Sequence, residues 1–119
     1  MNAQRSVTVK EAQRRSKRLP LQVPVNVYGR TPQNYPFRDR TRTLTVDAHG
    51  ARLTLSADVE PGQSLLLVHS FTQEERECRV VHVGPKRNGK RKVGVEFAQP
   101  EDNFWHIFQP VVLTRPPQV

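Results

Sequence analysis

The sequence predicts an all-β protein: six short strands curled into an antiparallel barrel, with a short C-terminal helix and a flexible basic N-terminal arm. Three observations carry that expectation. Apolar and polar residues alternate with period two in one segment after another from Leu19 onward, and Gly, Pro and Asn separate these segments. Six such strands in a chain of 119 residues can hide their edges by closing on themselves.

The arm spans residues 1–18, which hold six Lys/Arg against one Glu and show little periodicity. Such a segment has no apolar face to bury, so it is expected to stay mobile and to order on binding. The first strand follows, with Leu21, Val23, Val25 and Val27 alternating with Gln22, Pro24, Asn26 and Tyr28. Pro20 and Pro24 mark it as an edge or rim strand, because proline cannot donate to a ladder. Residues 29–36, GRTPQNYP, read as a turn.

A second strand is expected over Phe37–Val46 and a third over Ala51–Leu55, joined tightly by residues 47–50. Ala51, Leu53 and Leu55 share one face of the third. Residues 58–63, with Pro61 and Gly62, form a turn before strands at 64–70 and 76–83. The Asn88-Gly89 pair then suits the two positive φ angles of a type I′ hairpin. Val93, Val95 and Phe97 supply the inner face of the last strand. Pro100, Glu101 and Asp102 suit a helix N-terminus, and Phe104, Ile107 and Phe108 follow at helical spacing until Pro110. That helix is expected to plug a barrel mouth with Phe104 or Trp105. The organisation is therefore an arm at 1–18, a barrel with its helix at 19–110 and a tail at 111–119.

The net charge is +8, and it is concentrated. Residues 1–18 carry +5, residues 86–92 carry another +5, and the remainder nets −2. Two local patches imply particular anionic contacts rather than a uniform cationic coat. Cys78 is the only cysteine, which rules out an internal disulfide and a Cys-based metal cluster and fits a reducing compartment. The N-terminus lacks the apolar stretch of a signal peptide and the longest aliphatic run is Leu65–Val68, so a cytoplasmic protein without a membrane partner is expected. His49, His69, His82 and His106 lack metal-ligand spacing, and neither a G-x-S-x-G nor a G-K-S/T motif occurs. The expected protein is a binder with no cofactor, not an enzyme.

Arg14 and Arg18 form an R-x-x-x-R motif, with Arg15 as a further cation, leading directly into LPLQVPVNV. A glycine turn, VDAHGARL, and a terminal KVGVEF strand follow. This arrangement, from about Gln13 to Phe108, resembles the PilZ domain, a family of small bacterial Greek-key-like β-barrels that bind cyclic di-GMP. The resemblance implies that Arg14 and Arg18 clamp guanine and phosphate, that Arg15 assists, and that the turn faces the ligand from the other side. A guanidinium fork matches both the paired O6/N7 acceptors of guanine and a phosphate. The family's second motif, D/N-x-S-x-x-G, is met at Gly50 only, since Thr45 stands at the Asp/Asn position and Asp47 at the serine position.

The resemblance therefore implies a cyclic di-GMP receptor that relays its state to a protein effector, with Arg14, Arg15, Arg18, Thr45, Asp47 and Gly50 at the ligand. The alternative is an adaptor of the same fold that has lost the nucleotide and works by protein–protein contact. Read as plain turn chemistry, Asp47 caps the turn and Gly50 supplies a positive φ. Residues 86–92 read as a charged tip that protects an edge and aids solubility. Nucleic acid ranks last as a partner, because Tyr28, Tyr35, Phe37 and Phe71 make a poor stacking track.

Overall fold

The computed structural model describes residues 18–101 and 103–106. Six strands form there: β1 (Pro24–Arg30), β2 (Pro36–Asp47), β3 (Gly50–Leu55), β4 (Ser64–His69), β5 (Glu75–Val83) and β6 (Arg91–Phe97). All pair antiparallel, and they close in the order β1-β2-β3-β6-β5-β4. Strands β1–β3 form one meander and β4–β6 a second, and β4 returns beside β1, which is the Greek-key connection. Each strand is paired on both sides, so no edge is left open.

The interior is built by alternation. Val25 and Val27 from β1, Leu53 and Leu55 from β3, Leu65 and Leu67 from β4, and Val93 and Val95 from β6 are all buried in one core. Register breaks in two places. Thr43 pairs with Leu53 but Thr45 pairs with Arg52, leaving Leu44 as an extra residue. Val80 pairs with Val95 but His82 pairs with Gly94, leaving Val81 extra. Such bulges increase local twist and bend a strand, which a small barrel needs in order to close.

Strand ends differ from the expectation in instructive ways. Strand β1 begins at Pro24 rather than Leu21 and runs on through Gly29 and Arg30, residues expected in a turn. Gly29 fits the strand because a Cβ there would collide with the side chain of Leu65. Proline at the first position of β1 leaves the ladder intact.

The expected helix is absent from its described part, where residues 103–105 form a turn and bends. His106 adopts φ 56°, a left-handed conformation that a right-handed helix cannot continue through. Ile107 and Phe108 lie outside the described residues. The plug itself is present: Phe104 is fully buried and Trp105 nearly so, stacked edge to face at 4.8 Å, with Phe97 5.3 Å from Phe104. Packing of large rings, rather than helical periodicity, is what seals this mouth.

Candidate ligand-binding site

Arg14 and Arg15 lie outside the described residues, while Arg18 is the first described residue and is exposed. Its position is fixed by its neighbour. Leu19 and Val46 exchange both backbone hydrogen bonds, Leu19 N–H donating to Val46 O at 2.8 Å and Val46 N–H to Leu19 O at 2.9 Å. This bridge ties the base of the arm to the end of β2. A second tie follows at Thr43, which is fully buried. Its hydroxyl donates to Leu21 O at 2.6 Å and accepts from Val23 N–H at 2.8 Å. The chain between Leu19 and Val23 therefore runs along β2 without being part of the ladder, which suits a segment containing Pro20.

The β2–β3 turn is equally well held. Asp47 Oδ1 accepts from His49 N–H at 2.8 Å and from Gly50 N–H at 2.9 Å, the geometry by which an aspartate closes a turn on itself. Trp105 Nε1–H donates to Asp47 O at 3.0 Å, and Glu101 N–H to Ala48 O at 2.8 Å, so the segment after β6 backs the turn from behind. Gly50 is required for space. A Cβ there would sit on the carbonyl oxygen of Val95, whereas its φ of 159° is at the border of extended backbone. The φ is positive, as the turn reading expects, and the close approach of Val95 is a second and stronger reason for glycine.

These ties bring Arg18, Thr45, Asp47 and Gly50 to the wall of one pocket of about 80 Å³ on the outside of the barrel. Four of the six residues singled out in the sequence thus converge. Thr45 Oγ1 is buried without a hydrogen-bond partner among the described residues. Four further lining residues come from β5 and β6 and were not singled out individually as site residues in the sequence: Val81 and Glu96, both exposed, and Gly94 and Val95, both buried. Glu96 pairs directly with Gly50 across β3 and β6, and Gly94 pairs with Arg52. The outward side of the alternating segment GVEF was the available signal for Glu96. Gly94 leaves the wall bare of side chain, and Val81, 45% exposed, adds a small apolar surface beside it.

The arrangement offers a cation at one rim, carboxylates at Asp47 and Glu96, and between them Gly94, which carries no side chain, beside the exposed Val81. That combination suits a planar heterocycle carrying both hydrogen-bond donors and a phosphate. Nucleophilic chemistry finds no support in the lone thiol. Cys78 is buried, its pKa pushed up to about 12 by burial first and the Glu77 charge second. Among the described residues no three His, Cys, Asp or Glu side chains gather as a metal site, and no helix is long and apolar enough to cross a membrane.

Comparison with known proteins agrees with this fold. The family profile described as PilZ domain matches residues 12–107. Among solved structures, the Bacillus subtilis inhibitor of motility (MotI/DgrA) superposes with a TM-score of 0.57 at 19% sequence identity. The superposition covers 84% of this chain and 52% of that one, so the chain spans about half the length of that protein, and the likeness is one of fold. No curated protein matches the sequence.

Proposed function

The chain belongs to the PilZ domain family, and on that premise we propose that it is a bacterial receptor for cyclic di-GMP that passes its ligand state to a protein partner. The observation that carries this reading is the Leu19–Val46 bridge, which sets the last arginine of R-x-x-x-R beside Thr45, Asp47 and Gly50. The ligand is larger than a pocket of about 80 Å³, so it lies across the outer wall and uses the pocket for one edge. Its guanine rests over Gly94 and Val81. Arg18 takes O6 and N7 or the adjacent phosphate, and Arg14 and Arg15 close from the arm. Glu96, absent from the family motif, accepts from the N1–H and N2–H donors of the guanine, compensating for threonine at position 45.

Signalling follows from the same anchor. Ligand contacts made by the arm favour one arrangement of residues next to a rigid barrel, and a partner that reads that arrangement responds to the nucleotide. The partner reading and a cytoplasmic setting rest on the family; the structural neighbour is an inhibitor of motility, which makes a motility component one candidate class.

Calorimetry tests the proposal directly. The full chain is expected to bind cyclic di-GMP saturably and in preference to GTP and cyclic di-AMP. Arg18→Ala should weaken binding roughly tenfold to a hundredfold, the worth of one bidentate arginine–guanine contact of about 1–3 kcal/mol. Glu96→Gln, which loses the carboxylate but keeps the shape, should weaken it less. Absence of heat and of any melting shift at excess ligand and moderate salt would overturn the proposal.

One observation favours the adaptor reading instead: Asp47 already spends Oδ1 on the turn, and among the described residues no serine lines the pocket. The double variant Thr45→Asp with Asp47→Ser separates the two. A nucleotide affinity created by that change, where the native chain has none, identifies an adaptor; an affinity unchanged or weakened identifies a receptor that uses its own residues.

A further inference from the structure

A second, larger pocket of about 330 Å³ opens on the same outer wall, toward the β5–β6 hairpin. Its lining includes Arg52, His82, Arg87, Lys90, Arg91 and Lys92 and contains no carboxylate. We propose that this pocket binds a small molecule bearing two or more contiguous phosphates, at a site separate from the one beside Arg18.

Edge protection alone does not account for residues 86–92: β4 covers β5 only as far as Arg79, leaving the outer side of Val81–Val83 unpaired, yet the cations of the hairpin turn toward the wall formed by β3 and β6. Solubility alone is served by charges spread over a surface, with both signs interspersed. Here five lining cations from three segments face one concavity, which raises their mutual repulsion and is relieved by an anion.

The cations are also held in place rather than swinging on a loose loop. Asn88 and Gly89 have φ of 53° and 80°, as a type I′ turn requires, and Arg87 and Lys90 exchange backbone hydrogen bonds at 2.7 and 3.0 Å. Gly84 N–H donates to Lys92 O at 2.8 Å, and Arg91 Nη1–H donates to Gly84 O at 3.1 Å, which pins that guanidinium against the pocket floor. From the barrel side, register sets Arg52 beside Gly94 and Thr54 beside Lys92, with His82 on the far flank of Gly94.

Neutralisation within the protein is slight. Asp58 lies 3.7 Å from Lys86 Nζ and 4.0 Å from Arg91 Nε. Among the described residues, no ion pair engages Arg52, Arg87, Lys90 or Lys92. The size of the cavity then discriminates between anions. A volume of about 330 Å³ lies at the lower end for organic ligands and exceeds what one orthophosphate fills. Several guanidinium and ammonium groups arrayed around it match a phosphate chain, whose oxygens accept from several donors at once.

The test uses the full chain and inorganic tripolyphosphate, followed by calorimetry at moderate salt, with ATP as a parallel titrant. Saturable binding at one site per chain is expected. Arg87→Ala combined with Lys90→Ala should weaken it at least about tenfold, since two charge-assisted contacts are lost. The charge-matched control, Arg38→Ala with Arg40→Ala, removes exposed cations opposite Tyr28 and Asn26 on β2 and should change affinity less than about twofold if the site, not bulk charge, is read. All four substitutions are at exposed positions, and unchanged melting temperatures verify that the barrel is intact. ATP binding more tightly than tripolyphosphate would identify a nucleotide ligand, and equal affinities a ligand read by its phosphates alone; either supports the site. Equal losses in the two double variants, a comparable loss in Arg18→Ala, or no saturable heat with either titrant would overturn it. Because Arg18→Ala probes the first pocket only, failure here leaves the cyclic di-GMP reading to its own test.

Discussion

Thr43 is the residue through which fold and site are joined, and replacing it by valine isolates its hydroxyl. Valine has nearly the same shape, so the cavity term is small and the lost hydrogen bonds dominate. Two are lost, to Leu21 O at 2.6 Å and from Val23 N–H at 2.8 Å. Leu21 is exposed and its carbonyl can take water, but Val23 is half-buried, so its N–H loses its partner at a greater cost. Each bond contributes about 0.5–1.5 kcal/mol and a stranded buried donor somewhat more, which sums to about 2–3 kcal/mol. For a domain of this size that corresponds to a fall in Tm of about 8–20 °C. Thr43→Ser keeps the hydroxyl and loses one methyl, for about 1 kcal/mol. Urea unfolding followed by tryptophan fluorescence measures both, since Trp105 is the single reporter. Cyclic di-GMP affinity should fall in Thr43→Val as well, because Leu21 and Val23 hold the chain that carries Arg18. A Thr43→Val protein within about 0.5 kcal/mol of wild type, or Thr43→Ser as unstable as Thr43→Val, would refute the hydroxyl staple.

Three further outcomes are expected. Phe104→Ala should destabilise the barrel by about 3–5 kcal/mol, measured by denaturant unfolding, because it empties the plug beneath Trp105 and Phe97. His69 accepts hydrogen bonds at Nδ1 from Phe71 N–H and Thr72 N–H, and burial first, then His106, lowers its pKa below the usual 6.5 while Glu74 opposes them. The unfolded chain therefore binds the proton more readily, so stability is complete above about pH 6.5 and declines as pH falls toward the lowered folded value. Glu74, held low by its hydrogen bond from His106, loses its contribution only below the ordinary carboxylate range, so Tm between pH 7.5 and 5.5 reports His69 and should flatten in His69→Gln. Cys78, with its thiol pushed up to about 12, should resist an aromatic disulfide reagent at pH 8 in the native state and react fully in denaturant.

The six strands were legible because alternation is a direct consequence of one face being buried, and Val25, Val27, Leu53, Val93 and Val95 all point inward as their spacing requires. The Asn88-Gly89 turn was legible for an equally local reason, the need for two positive φ angles. Strand limits were not. Gly29 reads as a turn residue until Leu65 is known to lie over it, and the residues that would show the contact are 36 positions apart in the chain. The C-terminal plug was legible in its rings: Phe104 and Trp105 seat in the mouth as expected, with residues 103–105 in a turn and bends, while Ile107 and Phe108, which completed the helical spacing, lie outside the described residues. At the site, Thr45, Asp47 and Gly50 were found through the motif, while Glu96 gains its place from pairing with Gly50, and Val81 from being the unpaired bulge residue of β5.

The two extra residues, Leu44 and Val81, explain why that wall exists at all. In an unbroken strand, side chains two apart share a face. Thr43 points into the core, so strict alternation would carry Thr45 and Asp47 inward after it and turn Val46 out. The extra residue reverses the phase: Thr43 and Val46, three apart, are both buried, and Thr45 and Asp47 face the outer pocket. The same reversal occurs on β5, where Cys78 and Val80 are buried, Val81 and His82 are exposed, and Val83 packs on the core again. Both reversals flank the β3–β6 pair, whose outward positions Gly50, Arg52, Gly94 and Glu96 then lie between them. Two phase changes, neither detectable from hydrophobic spacing alone, thus convert the middle of an ordinary barrel wall into a strip with an uncluttered floor and polar margins. The first pocket sits at one end of this strip and the cationic pocket at the other, with Arg52 and His82 on the latter's wall.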